Sequence, residues 1–162
     1  MKKSDTTREL AKSAFEVLNE LMWEIHGARV TGAIAIKKPE IFQIKHPRYI
    51  VRNSIGIIVL ALRKFDDIWT NQIAPILLQA NLPQEGIQLR KDIKEKKLRT
   101  FCNRVIAHYS KNKVSPRTPI TKIEELLLKQ GFTTDMDFFL WTMDVLTKIE
   151  RVRDCIADEY KL

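Results

Sequence analysis

At 162 residues, 44% hydrophobic and 30% charged, the chain is long enough for one compact domain with its own core, residues 1–162, and reads as globular. Its two cysteines, Cys102 and Cys155, lie far apart and form no CxxC, which argues against a metal framework and for reduced thiols in a cytoplasmic setting. The start Met-Lys-Lys-Ser-Asp predicts no secretory leader, and the most apolar run, residues 54–62, is far short of the ~20 residues that span a bilayer, so no membrane is expected.

The formal charge of +8 is unevenly distributed. Residues 84–117 hold ten Lys/Arg against three acids, whereas residues 133–162 hold four against seven. A positive block of this kind is either a landing site for an anionic partner or a solvated helix face.

In chain order, Leu10, Ala14, Val17, Leu18, Leu21 and Ile25 recur at three- and four-residue steps, the stripe of an amphipathic helix with Ser4 or Asp5 as its N-cap. Gly27 and Gly32 are expected to end it. The stretch to Pro47 then reads as a connection, with a short extended piece over residues 33–36. A second helix starts near Pro47 and runs through Ile50, Ile57, Leu60, Ala61, Phe65, Ile68 and Trp69. It is apolar on nearly every side and so central, and Pro75 should kink or end it. A third helix is expected over residues 84–109, with Ile87, Leu98, Phe101 and Val105 inward. A short helix over 121–130 should stop at Gly131. A last helix follows Thr133 or Thr134, with Phe138, Trp141, Val145, Ile149, Val152 and Ile156 as its stripe. Trp23, Trp69 and Trp141 read as core packing. The fold class is therefore all-α, an up-and-down bundle of four main helices plus one short helix.

The third helix ends in Asn103-Arg104-Val105-Ile106-Ala107-His108-Tyr109. On an unbroken wheel His108 lies about 20° from Phe101, with Arg104 one turn before it. A helical bundle carrying this string on a basic helix resembles the HEPN superfamily, most closely its abortive-infection AbiU-type members. The apolar helix ending in Leu60-Ala61-Leu62-Arg63-Lys64-Phe65-Asp66-Asp67 also looks like that family's central helix. The resemblance covers roughly residues 5–160, and its specific part is about seven residues.

What the resemblance implies is a metal-independent endoribonuclease, without cofactor, whose site forms between two copies of the chain. It also implies a prokaryotic defence or toxin–antitoxin setting, with RNA as substrate and an antitoxin as a further partner. His108 would move protons, Arg104 would hold the phosphate and Asn103 would orient either group. Imidazole titrates near neutral pH, and guanidinium stabilises phosphate charge through paired hydrogen bonds. Lys94, Lys97, Arg99, Lys111 and Lys113 would contact the RNA backbone, and Tyr109 could stack on a base.

The sequence departs from the family's arginine–spacer–histidine pattern. Alignment on His108 puts Cys102 where the arginine belongs, with Arg104 too near and Arg99 too far. A catalytically degenerate module that binds a protein partner is the alternative. A histidine at a helix C-terminus is also favoured by the macrodipole alone. His26 and His46 have no ligand spacing, so no metal site is expected. Asp66 and Asp67 read as a solvated or capping pair.

Overall fold

A computed structural model of the chain describes residues 3–44, 46–77, 82–98, 100, 125 and 127–162, with side chains from Thr6 onward. Every described element is helical: α1 (Lys3–Lys37), α2 (Arg48–Ile68), α3 (Gln84–Glu95) and α4 (Asp135–Tyr160), with a 3-10 turn at Pro39–Phe42. No strand occurs among the described residues.

Named contacts fix the topology. Lys64 of α2 reaches Glu20 of α1 at 3.4 Å, and the chain reverses between Lys37 and Arg48. On the other side of α1, Arg153 donates to Asn19 Oδ1 at 3.3 Å, while Gly32 lies beneath the Phe139 ring. Rising numbers on α1 thus meet falling numbers on α4. The same opposition holds between α3 and α4, where Gly86 lies against Val152 and Asp92 meets Lys148 at 2.8 Å. It holds again between α2 and α3, where Asp66 meets Arg90 at 2.6 Å and Gly86 lies against Trp69, just past the end of α2. Each helix is antiparallel to both neighbours, so the four run up-down-up-down around one contiguous apolar core.

Three boundaries differ from the sequence reading. Helix α1 starts at Lys3, ahead of Ser4 and Asp5, and continues through Gly27 and Gly32 to Lys37, so residues 33–36 are helical rather than extended. Gly32 is there because a side chain would collide with Phe139: a Cβ would stand 2.8 Å from the ring's Cε1 and Cε2. Ala28 and Ala35 continue the buried stripe past it. Helix α2 passes into a π turn at Trp69–Ile73, then a last α turn at Ala74–Ile76 that contains Pro75, as that proline led one to expect. The wide turn gives the Ala74 N–H an acceptor, the carbonyl of Trp69.

The third departure is the largest. Helix α3 ends at Glu95, and Lys97 takes left-handed angles (φ 48°) where an unbroken helix to residue 109 was expected. A helical turn resumes behind it, the Thr100 N–H donating to the Lys97 carbonyl at 2.9 Å. A lysine in this conformation costs about 1 kcal/mol. Burial of Leu98, only 1% exposed, and the inward anchoring of Lys96 offset that cost. Any angle carried across Lys96 and Lys97 from one unbroken wheel is therefore wrong.

The core faces were partly misphased. Ile57, Leu60 and Ile87 are exposed, and Val51, Ile55, Ile58, Leu62, Leu89 and Ile93 are buried in their place. Gly86 faces inward on α3, pressed against Trp69 and Val152. On α4 the expected Phe138, Val145, Ile149, Val152 and Ile156 are buried, joined by Phe139 and Thr142, with Trp141 half-buried. Thr134 caps α4 in a reciprocal box, accepting from the Asp137 N–H at 3.1 Å while Asp137 accepts from the Thr134 N–H at 2.9 Å. Gly131 (φ +85°) closes the turn before it. The N–H groups of Gly131 and Phe132 bond back to Leu128 and Leu127 in a Schellman arrangement.

Candidate nucleic-acid interface and a second groove

Of the nine residues that the sequence nominates for RNA chemistry, Lys94 and Lys97 are described. Arg99, Asn103, Arg104, His108, Tyr109, Lys111 and Lys113 lie outside the described residues, as does Cys102. Lys94 is exposed on the last turn of α3, where its charge opposes the helix's negative end. Lys97 is exposed on the left-handed turn that follows. Both side chains are exposed to solvent.

The neighbouring cations, Arg90, Lys91 and Lys96, have partners, Lys91 in an exposed pair and the other two within the fold. Arg90 donates to Asp66 at 2.6 Å and to the Thr70 hydroxyl at 3.2 Å. Asp66 is thereby a nearly buried ion-pair partner, not a solvated carboxylate, while Asp67 is exposed. Lys91 lies 3.8 Å from Glu95. Lys96 turns inward, its ammonium 4.4 Å above the Phe132 ring and 5.7 Å from the centre of Trp141, and donates to the Gln130 carbonyl at 3.4 Å. The N-terminal part of the basic block is thus largely neutralised by neighbours. Residues 96–117, by contrast, hold seven Lys/Arg and no acid among themselves.

Where α3 meets α4, Lys148 joins Asp92 at 2.8 Å and Asp144 at 2.7 Å. Burial works against charging Asp92, but hydrogen bonds from Lys148 and Gln88 outweigh it and hold the carboxyl below its ordinary range. Burial likewise works against the Lys148 ammonium, and Asp144 and Asp92 outweigh it, raising that group above its ordinary value. Burial, then the carboxylates of Glu159, Asp158 and Glu85, push the Cys155 thiol up, which leaves it a poor nucleophile. The Tyr160 hydroxyl donates to the Ile76 carbonyl, tying the end of α4 to the end of the α2 extension.

One feature escaped the sequence reading. Trp23 is 77% exposed, not packed in the core. It walls a groove of about 510 Å³ between α1 and α4, lined also by Met22, His26, Leu146, Glu150 and Arg153. The wheel held the signal: Trp23 lies two residues from both Leu21 and Ile25, about 200° from the buried stripe. Trp69 and Trp141 do pack as expected, Trp69 against Phe65 and Trp141 against Phe132 and Phe138. Among the described residues no group of three His, Cys, Asp or Glu side chains is placed to hold a metal ion, and no helix is long and apolar enough to cross a membrane. No protein-family model, curated protein or solved structure matches the chain.

Proposed function

We propose that the chain is a HEPN-like, RNA-directed protein of the prokaryotic defence or toxin–antitoxin kind, cutting or holding RNA at a site shared between two copies. The observation that carries this reading is the acid-free basic run over residues 96–117, with Asn103, Arg104 and His108 inside it. The up-down-up-down bundle is the architecture the resemblance implies, and the exposed Lys94 and Lys97 stand where that run begins.

The chemistry needs few groups. His108 takes the proton of a ribose 2′-hydroxyl as that oxygen attacks the adjacent phosphorus. The bond from phosphorus to the 5′-oxygen breaks, and the leaving oxygen takes up a proton, from the imidazolium of the second copy or from water. Arg104 offsets the charge that gathers on the phosphate oxygens, and Asn103 orients the phosphate or the ring. Lys94, Lys97, Arg99, Lys111 and Lys113 hold the strand through its phosphates, and Tyr109 stacks on a base.

Incubation of total RNA with the wild type and with His108→Ala tests the catalytic form: cleavage by the wild type alone supports it, and equal cleavage by both ends it. Absence of cleavage by either, with binding that weakens steeply in salt, leaves an RNA-binding toxin.

Cys102, at the place of the family's arginine, favours a second reading: a degenerate module that dimerises or binds a protein partner such as an antitoxin. Under it, Cys102→Arg confers RNA cleavage on an inactive parent. An active parent removes this reading.

A further inference from the structure

Helix α3 buries one stripe, Gly86, Leu89 and Ile93. On an unbroken wheel Lys97 falls about 40° from Ile93, whereas Leu98 falls about 140° away. A continued helix would therefore turn Lys97 inward and Leu98 outward. The left-handed angles of Lys97 (φ 48°) reverse that outcome: Leu98 is buried and Lys97 is exposed. One residue out of helical conformation thus rephases the chain, and it does so at the start of the acid-free run.

Lys96 is the fixed point of this corner. Its backbone still belongs to α3, the N–H donating to the Asp92 carbonyl at 2.9 Å. Its side chain crosses to the turn ahead of α4, where the ammonium lies 4.4 Å above the Phe132 ring and 5.7 Å from the centre of Trp141. There it also donates to the Gln130 carbonyl at 3.4 Å, at the end of a helical turn, where a cation is favoured. The platform is itself held in place. Phe132 is buried, stands edge-on to Phe138 at 5.2 Å between centroids and lies 5.4 Å from Trp141. A cation within about 6 Å of a ring face is attracted by the ring quadrupole, more strongly where water is excluded. This ammonium is committed to the bundle.

We propose that Lys96 is a positioning residue of the basic run and not one of its phosphate contacts: stacked on Phe132 and Trp141, it holds the corner at Lys97 from which the run departs. The role rests on the RNA-directed reading above. Lys97, on the outside of the corner, is the first side chain of the run that meets the strand.

The test titrates the full-length protein into a fluorescein-labelled single-stranded RNA of mixed sequence, read by anisotropy over a salt series. Lys96→Met keeps the stem and loses the charge. Phe132→Leu keeps that charge and an apolar side chain but loses the ring. Each is expected to weaken binding by roughly threefold to tenfold, because a corner no longer set in advance must be ordered on binding. The double variant is no weaker than either alone. The slope of log affinity against log salt stays that of the wild type, and Lys96→Arg, which also stacks on rings, restores the affinity. Lys97→Ala instead lowers the slope by about 0.7, the mark of one lost phosphate contact on a single strand. Circular dichroism checks each fold; should Phe132→Leu not fold, the slope for Lys96→Met and the rescue by Lys96→Arg decide. A slope lowered by about 0.7 in Lys96→Met makes Lys96 an ordinary phosphate contact and overturns the proposal. Unchanged affinity in both single variants overturns it too. In either case the RNA-directed reading stands, whereas a wild type that fails to bind the RNA at low salt rejects that reading and the positioning role with it.

Discussion

Two glycines of the same helix should respond to alanine with opposite signs. Both Gly27 and Gly32 lie inside α1, where exchanging glycine for alanine stabilises a helix by about 0.5–1 kcal/mol. Around Gly27 nothing lies within 4 Å of the new methyl, so Gly27→Ala should keep that whole gain. At Gly32 the methyl would overlap Phe139, a ring only 1% exposed and hemmed in by Phe138 at 5.8 Å between centroids. Overpacking of this kind costs about 1–3 kcal/mol. The propensity gain is common to both sites and cancels in the comparison, so the two variants should differ by that packing cost, about 1–3 kcal/mol, with Gly32→Ala the less stable. Urea denaturation, read as a shift in midpoint at constant slope, measures the difference. A gap below about 0.5 kcal/mol, or a Gly32→Ala variant as stabilised as Gly27→Ala, would refute the close approach of α1 to α4 at this point.

Further outcomes follow from the same contacts. Thr134→Ala removes the acceptor for the Asp137 N–H and should cost about 1 kcal/mol in urea denaturation, with Thr134→Ser nearly neutral. The pH dependence of the melting temperature should carry the mark of the Asp92–Lys148 pair. The depressed Asp92 carboxyl contributes stability that is present above its unfolded value and lost as pH falls through the lower folded one. The raised Lys148 ammonium contributes stability present below its ordinary 10.5 and lost as pH rises through the higher folded value. Lys148→Met should flatten both limbs, and unchanged limbs would show that the pair contributes nothing.

Fold class was readable because the apolar steps on α1 and α4 are long and regular. Leu18, Leu21, Ile25, Val145, Ile149 and Val152 are all completely buried. The start of α4 was readable to within one residue, Thr133 or Thr134, and the structure places the cap at Thr134, which pairs with Asp137 in a reciprocal box. Glycine misled in one place: Gly32 looks like a helix stop in sequence and is a point of close contact, a distinction that depends on what lies across the bundle. The break at Lys97 has no glycine or proline to announce it, because tertiary burial of Leu98 and the cation–aromatic stack of Lys96 impose it. Ile57, Leu60 and Ile87 were misplaced because two adjoining apolar stripes share a helix and only the neighbours decide which one is covered. Of the proposed RNA site, Lys94 and Lys97 alone are placed by the structure. Trp23 was read as core packing and is exposed, although the wheel sets it opposite the buried stripe.

Wild type and His108→Ala, each incubated with total RNA without added metal and resolved by gel, bear most directly on the central claim. Discrete cleavage products from the wild type, absent with His108→Ala at equal fold and equal RNA affinity, are the predicted outcome. Identical product patterns from the two proteins would contradict catalysis by His108, and no retention of RNA by either at low salt would contradict an RNA-directed role for the 96–117 run.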